Sequence, residues 1–528
     1  MNPQAYFESV CSAMADPAFY PHPVSGLKRL DTHISAVFLT GDHVYKLKKP
    51  LEMGFLDFRE PDARRHFCEN EVTLNRRLSK GIYETVVPIF ESGTGTFSLT
   101  GGDRVAEYAV RMRQLPDGAS LKNRLRNGTV SENDMVALGE LLADFYRKSG
   151  KSREIDRYGE QDVISFNMEE NFRQLAPFAG KLFDVEKWQF ICGVCRSFFE
   201  HHPALFGNRV ATGKIRDGHG DLRADHVYFH DGIQIIDCIE FNDRFRYGDV
   251  VSDLAFLHMD MARLGGESRG RAFIRAYARQ AEDPGVCALL DFYAAYRAVV
   301  RLKIACFRHQ MAGETEKETL QHEINGYIRL ARCYTFRFSR PTLWVLCGLP
   351  ASGKSRHARR LADALSMTLI QSDTLRKAEQ PRPEIVPFGT GQYSHARRQR
   401  IYGRMLALAQ AALGRGESVI LDATYSKRSW REAVRQLAAD LNTCLIFTEC
   451  GCSAGTLRKR LKKRENKTGI SDARLEHLEQ MADDFDPFTA AEPVPYFRVS
   501  TDAPADDVFY DILFQGEGLR AAQAEKLM

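Results

Sequence analysis

From Leu343 onward, short apolar runs recur at intervals that suit a sheet: Leu343–Cys347, Thr368–Gln371, Ser418–Asp422, Thr443–Thr448 and Tyr496–Ser500. Stretches with helical spacing, such as Arg398–Leu413, lie between them. Apolar strands alternating with helices predict an α/β domain with a parallel sheet covered on both faces by flanking helices. The upstream pattern differs. Residues 34–115 read as strands with one helix, Asp62–Leu78, and residues 130–338 read as mostly helical with a strand-and-loop insert around 210–240. A small β-rich lobe followed by a larger helical lobe predicts a bilobal α+β fold. A charged helix, Glu314–Arg332, gives way to a basic-aromatic stretch, Tyr334–Pro341, and then to the first apolar strand. Proline just before a strand is common punctuation. The boundary is therefore expected near 338, giving domains 1–338 (small lobe about 30–116, helical lobe about 117–338) and 339–528.

Composition supports more than one core. The chain has 528 residues, against about 100–200 per domain. With 44% hydrophobic and 27% charged residues it has the mix of a soluble globular protein. The 73 basic residues nearly balance the 69 acidic ones, so no bulk attraction to nucleic acid follows. The 12 cysteines are scattered, which fits free thiols in a reducing compartment. Cys192 and Cys195 lie in an apolar, helix-like stretch with no second Cys/His pair at ligand spacing, so a buried helix face is expected there. The N-terminus lacks a basic segment followed by an apolar run, and no stretch approaches ~18 apolar residues. A cytoplasmic protein with no membrane partner is the expectation.

Gly348-Leu-Pro-Ala-Ser352-Gly353-Lys354-Ser355 matches the P-loop pattern in full, between an expected strand and an expected helix. Its glycines let backbone N–H groups curl around phosphate oxygens, and the helix that follows presents its positive end. Lys354 is expected to reach the terminal phosphates and Ser355 to ligate Mg²⁺. Asp373 and Asp422 end two strands, where open α/β sheets bind ligands. Asp373 suits the base that takes the acceptor proton. Asp422 suits either a hold on metal-bound water or the orientation of the acceptor hydroxyl. Helix capping is the competing role for both. In the run Arg458–Arg464, Arg460 and Arg464 suit a lid that neutralises charge on the transferring phosphoryl group, against a solvated face or RNA binding. Together with Ser471-Asp472-Ala473, these residues resemble small P-loop kinases related to polynucleotide kinase, gluconate kinase and zeta toxins over about 341–505. The resemblance implies phosphorylation of a hydroxyl on a small molecule or a polynucleotide end.

Upstream, His219-Gly-Asp221-Leu-Arg-Ala-Asp-His226 precedes Ile235-Ile-Asp237 and then Asp253 at a helix start. Phosphoryl transfer needs one carboxylate to position the acceptor hydroxyl and another to hold Mg²⁺. Asp221 suits the first task and Asp237 the second. The ordered set resembles the aminoglycoside phosphotransferase and choline kinase group, which shares the protein-kinase fold, over about 30–335. By that resemblance Lys46, with Lys48 as alternative, is the nucleotide-binding lysine. Glu71, with Glu69 as alternative, is its partner, and Glu107–Pro116 supplies the strand and hinge beside adenine. Two departures stand out. His226 occupies the place of the asparagine that ligates the second Mg²⁺, and no Gly-rich loop precedes Lys46. A neutral imidazole is a softer ligand than Mg²⁺ prefers.

The expected activity is a fused bifunctional kinase, each domain moving the γ-phosphate of ATP (or GTP), with Mg²⁺, to a hydroxyl of a small molecule. Two alternatives stand: a single active P-loop kinase beside a ligand-binding pseudokinase-like domain, and a polynucleotide 5'-hydroxyl kinase whose nucleic-acid partner is gripped by Arg397–Arg404 and Arg458–Arg464. Residues 379–395 are the expected acceptor loop of the P-loop domain, and 258–335 the expected acceptor side of the other.

Overall fold

The computed structural model describes residues 2–54, 56–379, 394–465, 478–489 and 492–527. The chain packs as two units, one of residues 1–167 and 206–281, the other of 168–205 and 282–528.

The first unit carries a six-stranded sheet. Its strands are β1 (Lys28–Asp31), β2 (Ser35–Leu39), β3 (His43–Lys48), β4 (Tyr83–Glu91), β5 (Phe97–Ser98) and β6 (Arg104–Arg113), in the order β1-β2-β3-β6-β4-β5. Every pairing is antiparallel. Strand side chains alternate between faces, and here both faces are covered. Ala36, Phe38, Tyr45 and Leu47 pack on Phe7, Val10, Cys11 and Met14 of the helix Pro3–Met14. Val44, Val110 and Met112 pack on Cys68 and Val72 of the helix Pro61–Asn75. Lys46 and Lys48 share the face of Val44 and so meet the second helix. The N-terminal helix has no counterpart among the expected elements.

The rest of this unit is helical around two small ribbons. β7 (Ile215–Asp217) pairs with β10 (Tyr247–Asp249), and β8 (Val227–Phe229) pairs with β9 (Ile233–Ile235), all antiparallel. The loop between β7 and β8 carries Asp221, and the turn after β9 carries Asp237.

The second unit contains the helices Val185–His201, Val286–Met311 and Glu314–Phe338, then a five-stranded sheet. The helix begun at Glu314 runs on past the expected end at Arg332, through the basic-aromatic stretch to Phe338. Phe336 and Phe338 meet Phe190, Phe198 and Phe292, so the aromatic residues continue a buried helix face. Cys192 and Cys195 are buried on one helix, as the sequence suggests. The sheet strands are β11 (Thr342–Cys347), β12 (Thr368–Gln371), β13 (Val419–Asp422), β14 (Cys444–Gly451) and β15 (Tyr496–Ser500), in the order β12-β13-β11-β14-β15, all parallel. Helices flank it. The last, Ala505–Leu527, lies on buried Trp344, whose indole N–H donates to Thr448 Oγ1 at 2.9 Å. Trp188 and Trp430 are also buried in this unit.

A buried ion network ties residues on both sides of 338. Arg520 donates to Asp291 Oδ2 at 2.6 Å and to the Arg337 carbonyl at 3.1 Å, and Arg337 reaches Glu525 at 3.1 Å. Among the described residues no helix is long and apolar enough to cross a membrane.

Candidate active sites

In the first unit, the His219–His226 loop is fixed from outside itself. Asp253, in the first turn of the helix Val250–Arg263, accepts from the His219 N–H at 2.7 Å, the Gly220 N–H at 2.9 Å and the Tyr146 hydroxyl at 3.1 Å. Asp260, further along that helix, accepts from the Ala224 N–H at 3.0 Å. Gly220 has φ +85°, and a Cβ there would lie 2.7 Å from the Phe245 carbonyl oxygen. The sequence therefore needs glycine between His219 and Asp221.

This loop brings Asp221, His226 and Asp237 together, with ligand atoms within 4.8 Å of one another. His226 Nδ1 donates to the Asp221 carbonyl oxygen at 2.9 Å, which leaves Nε2 as the unprotonated nitrogen. That Nε2 lies 3.4 Å from Asp237 Oδ2 and 2.8 Å from an Arg223 N–H. Arg223 also donates from Nε to both Asp221 carboxylate oxygens at 3.0 Å. Asp237 sits at φ +64°, a strained value for a non-glycine residue. Its N–H donates to the Tyr83 hydroxyl at 3.1 Å.

The two candidate lysines meet one glutamate. Lys46 Nζ lies 2.8 Å from Glu71 Oε1 and 2.7 Å from Asp237 Oδ1. Lys48 Nζ lies 2.8 Å from Glu71 Oε2 and also bonds Glu240. Glu69 lies on the outer face of its helix with Arg65. Burial pushes the Asp237 carboxyl up, but the charge and hydrogen bond of the Lys46 ammonium outweigh burial and hold it well below the usual carboxylate range. Glu71 is likewise raised by burial and lowered more by Lys46 and Lys48. Burial alone pushes the His219 imidazole down to about 4, so it stays neutral. Glu107 pairs with Arg64 inside the lobe, at 2.8 Å.

In the second unit, the P-loop follows β11 and opens the helix Lys354–Leu365. Gly348 has φ +127°, and a Cβ there would fall 2.3 Å from the Cys450 carbonyl oxygen, so only glycine fits. Gly353 and Ala351 also take positive φ. Lys354 and Ser355 begin the helix, and neither makes a side-chain hydrogen bond or ion pair among the described residues. Ser352 is buried with its hydroxyl unpartnered among the described residues.

Asp422 ends β13 beside the P-loop strand and is buried. Gln371, at the end of β12, donates to its Oδ2 at 2.6 Å. Its Oδ1 is buried without a hydrogen-bond partner among the described residues. Asp373 lies in the first turn of the helix Ser372–Glu379, 3.1 Å from Arg376. Arg460 does not stand free. It donates to the Ala351 carbonyl of the P-loop at 3.2 Å, to Thr501 Oγ1 at 2.9 Å and to the Thr501 carbonyl at 2.7 Å. Thr501 in turn donates to the Ser352 carbonyl at 2.6 Å. Arg464 ends the same helix, Ala454–Glu465; its side chain, Ser471–Ala473 and nearly all of the expected acceptor loop 379–395 lie outside the described residues.

Glu240, Gln371 and Thr501 join these sites without a motif to announce them, and Arg223 joins from inside the His219–His226 loop with no role expected of it. For Lys48 the available signal was its spacing from Lys46 on one strand face.

Residues 117–290 match a model described as a phosphotransferase enzyme family. Residues 343–488 match an AAA domain model. Uncharacterized proteins of Mycobacterium tuberculosis and Mycobacterium bovis are 32% identical over 464 residues, covering 86% of this chain and 90% of theirs. Among solved structures, a choline/ethanolamine kinase family protein from Mesorhizobium loti is similar over 61% of this chain and 99% of its own, with 13% identity and a TM-score of 0.36. A gluconokinase from Sinorhizobium meliloti is similar over 35% of this chain and 95% of its own, with 21% identity and a TM-score of 0.26.

Proposed function

The chain belongs to the same family as its mycobacterial relatives, and from that premise we propose that this two-domain phosphotransferase is a bifunctional kinase. Each domain moves the γ-phosphate of ATP to a hydroxyl of a small molecule. The functional boundary lies near 338, with one complete set of groups on each side. The observation that carries the reading is the convergence of Lys46, Glu71, Asp237, His226 and Asp221 in one place, from four separate chain segments.

In the first site Asp221 orients the acceptor hydroxyl and receives its proton, and Lys46 steadies the phosphates against Glu71. Two carboxylates and an unprotonated imidazole nitrogen within 4.8 Å fit a divalent cation, so Asp237 and His226 would hold Mg²⁺. When bound, the cation neutralises phosphate charge. In the second site the Gly348–Gly353 backbone and Ser352 cradle phosphate and Lys354 reaches the terminal oxygens. Ser355 and the open oxygen of Asp422 serve the cation. Asp373, in the first turn of the helix Ser372–Glu379, serves as the acceptor base in this reading. Arg460 holds the P-loop to Thr501.

A second reading has its own support. Arg223 engages both oxygens of Asp221, which favours a first site that binds nucleotide without turning it over. One experiment separates the two: ATP-dependent phosphorylation screened against small-molecule and oligonucleotide pools with the parent, Asp221→Asn and Lys354→Ala. We expect each variant to lose a different product, by about 10²–10⁴-fold in rate. Turnover untouched by Asp221→Asn selects the second reading. A folded, ATP-binding parent that phosphorylates nothing in either pool sinks both.

A further inference from the structure

We propose that Lys48 and Glu240 are positioning residues that hold Glu71, and through it Lys46, in the phosphate-binding arrangement before nucleotide arrives. The proposal rests on the reading of Lys46 as the nucleotide lysine. It starts from an excess. One lysine on Glu71 suffices for the expected ion pair, yet β3 sends two lysines to it. The second is wholly buried, 0% exposed, with the Phe58 ring 5.2 Å from its ammonium. A buried ammonium is costly unless paired and hydrogen-bonded. Packing alone would be met by methionine.

The oxygens of Glu71 are divided between the lysines, Oε1 at 2.8 Å from Lys46 and Oε2 at 2.8 Å from Lys48. Lys48 donates to Oε2, while Oε1 pairs with Lys46 by charge, so the Lys48 bond keeps the carboxylate in place when Lys46 changes partner. Lys46 can therefore exchange Asp237 for a ligand oxygen while Glu71, and the helix Pro61–Asn75 that carries it, stays fastened to the sheet. Glu240 completes the arrangement by bonding Lys48 from the segment that follows Asp237. Asp237, with 43% of its side chain exposed, lies on the open side of this group. The brace thus ties β3, the Glu71 helix and the Asp237 segment at one buried point.

The test uses the full chain with Lys354→Ala, so that only the first site reports, and a fluorescent ATP analogue with Mg²⁺ as probe. Lys46→Met measures loss of the direct contact. Lys48→Met/Glu240→Gln removes the brace without stranding a buried charge. We expect the double variant to keep the parent melting temperature within a few degrees and to lose about tenfold in affinity, within the 10–100-fold range of supporting-residue changes. Parent affinity in the folded double variant overturns the proposal. If the double variant fails to fold, Glu240→Gln alone carries the test: a weakened affinity supports the brace and parent affinity overturns it. Parent affinity in Lys46→Met would instead overturn the kinase reading of this lobe, a separate result.

Discussion

Lys46 and Lys48 are two positions apart and share a glutamate, yet only Lys46 also reaches Asp237. At this scale, residues whose chemistry demands a fixed type were legible. Gly348 is one: a Cβ would strike the Cys450 carbonyl, and φ +127° is unfavourable for any other residue. Gly348→Ala should distort the P-loop and abolish nucleotide binding at the second site, which calorimetric titration of the Lys46→Met protein with ATP will measure. The sequence also singled out Asp221 and Asp237, which the fold brings together with His226. It offered Lys48 only as the alternative to Lys46; its pairing with Glu240 was not legible, because a single sequence does not show a long-range partner. Titration gives a second prediction. His219 is held neutral by burial at a pKa of about 4 against 6.5 for the free side chain. Its folded pKa is depressed, so the unfolded state binds more protons between these values. Stability is full above pH 6.5 and falls as pH drops toward 4, by about 3 kcal/mol for this group. Urea unfolding across that window checks it. A His219→Asn protein should lose that part of the pH dependence.

At the scale of elements, β12 and β15, the two edges of the parallel sheet, have the bounds that the apolar runs gave. The helix Pro3–Met14 was missed: its apolar face covers a sheet and shows no motif. The helix Glu314–Phe338 was expected to end at Arg332 because the phenylalanines beyond it fall among arginines, and only the contacts of Phe338 with Phe198 and Phe292 show that the helix face continues. Element packing yields a further test. A Cβ at Gly516, on the C-terminal helix, would lie 2.1 Å from the Trp344 ring, and the Thr448 bond restrains that ring. Gly516→Ala should destabilise by about 1–3 kcal/mol despite the better helix propensity of alanine. A lowered urea midpoint with unchanged helical dichroism is the expected record.

At the scale of the whole molecule, two candidate sites lie on one chain, and the residues that support the second are not confined to its motif-bearing half. Arg520 and Arg337 both depend on Asp291, far upstream of the P-loop. Asp291→Ala leaves a buried guanidinium short of a partner and should cost the second unit about 3 kcal/mol, read from its denaturant midpoint. The positions of Trp188, Trp344 and Trp430 make that reading clean. All 3 tryptophans of the chain lie in the second unit and none in the first. Selective indole excitation is therefore a one-sided optical channel: its emission spectrum follows the melting of the P-loop half and its buttressing helices, while the half that carries Asp221 contributes no emission of its own. A single tryptophan introduced into the first unit would open the second channel and turn the chain into its own two-colour thermometer.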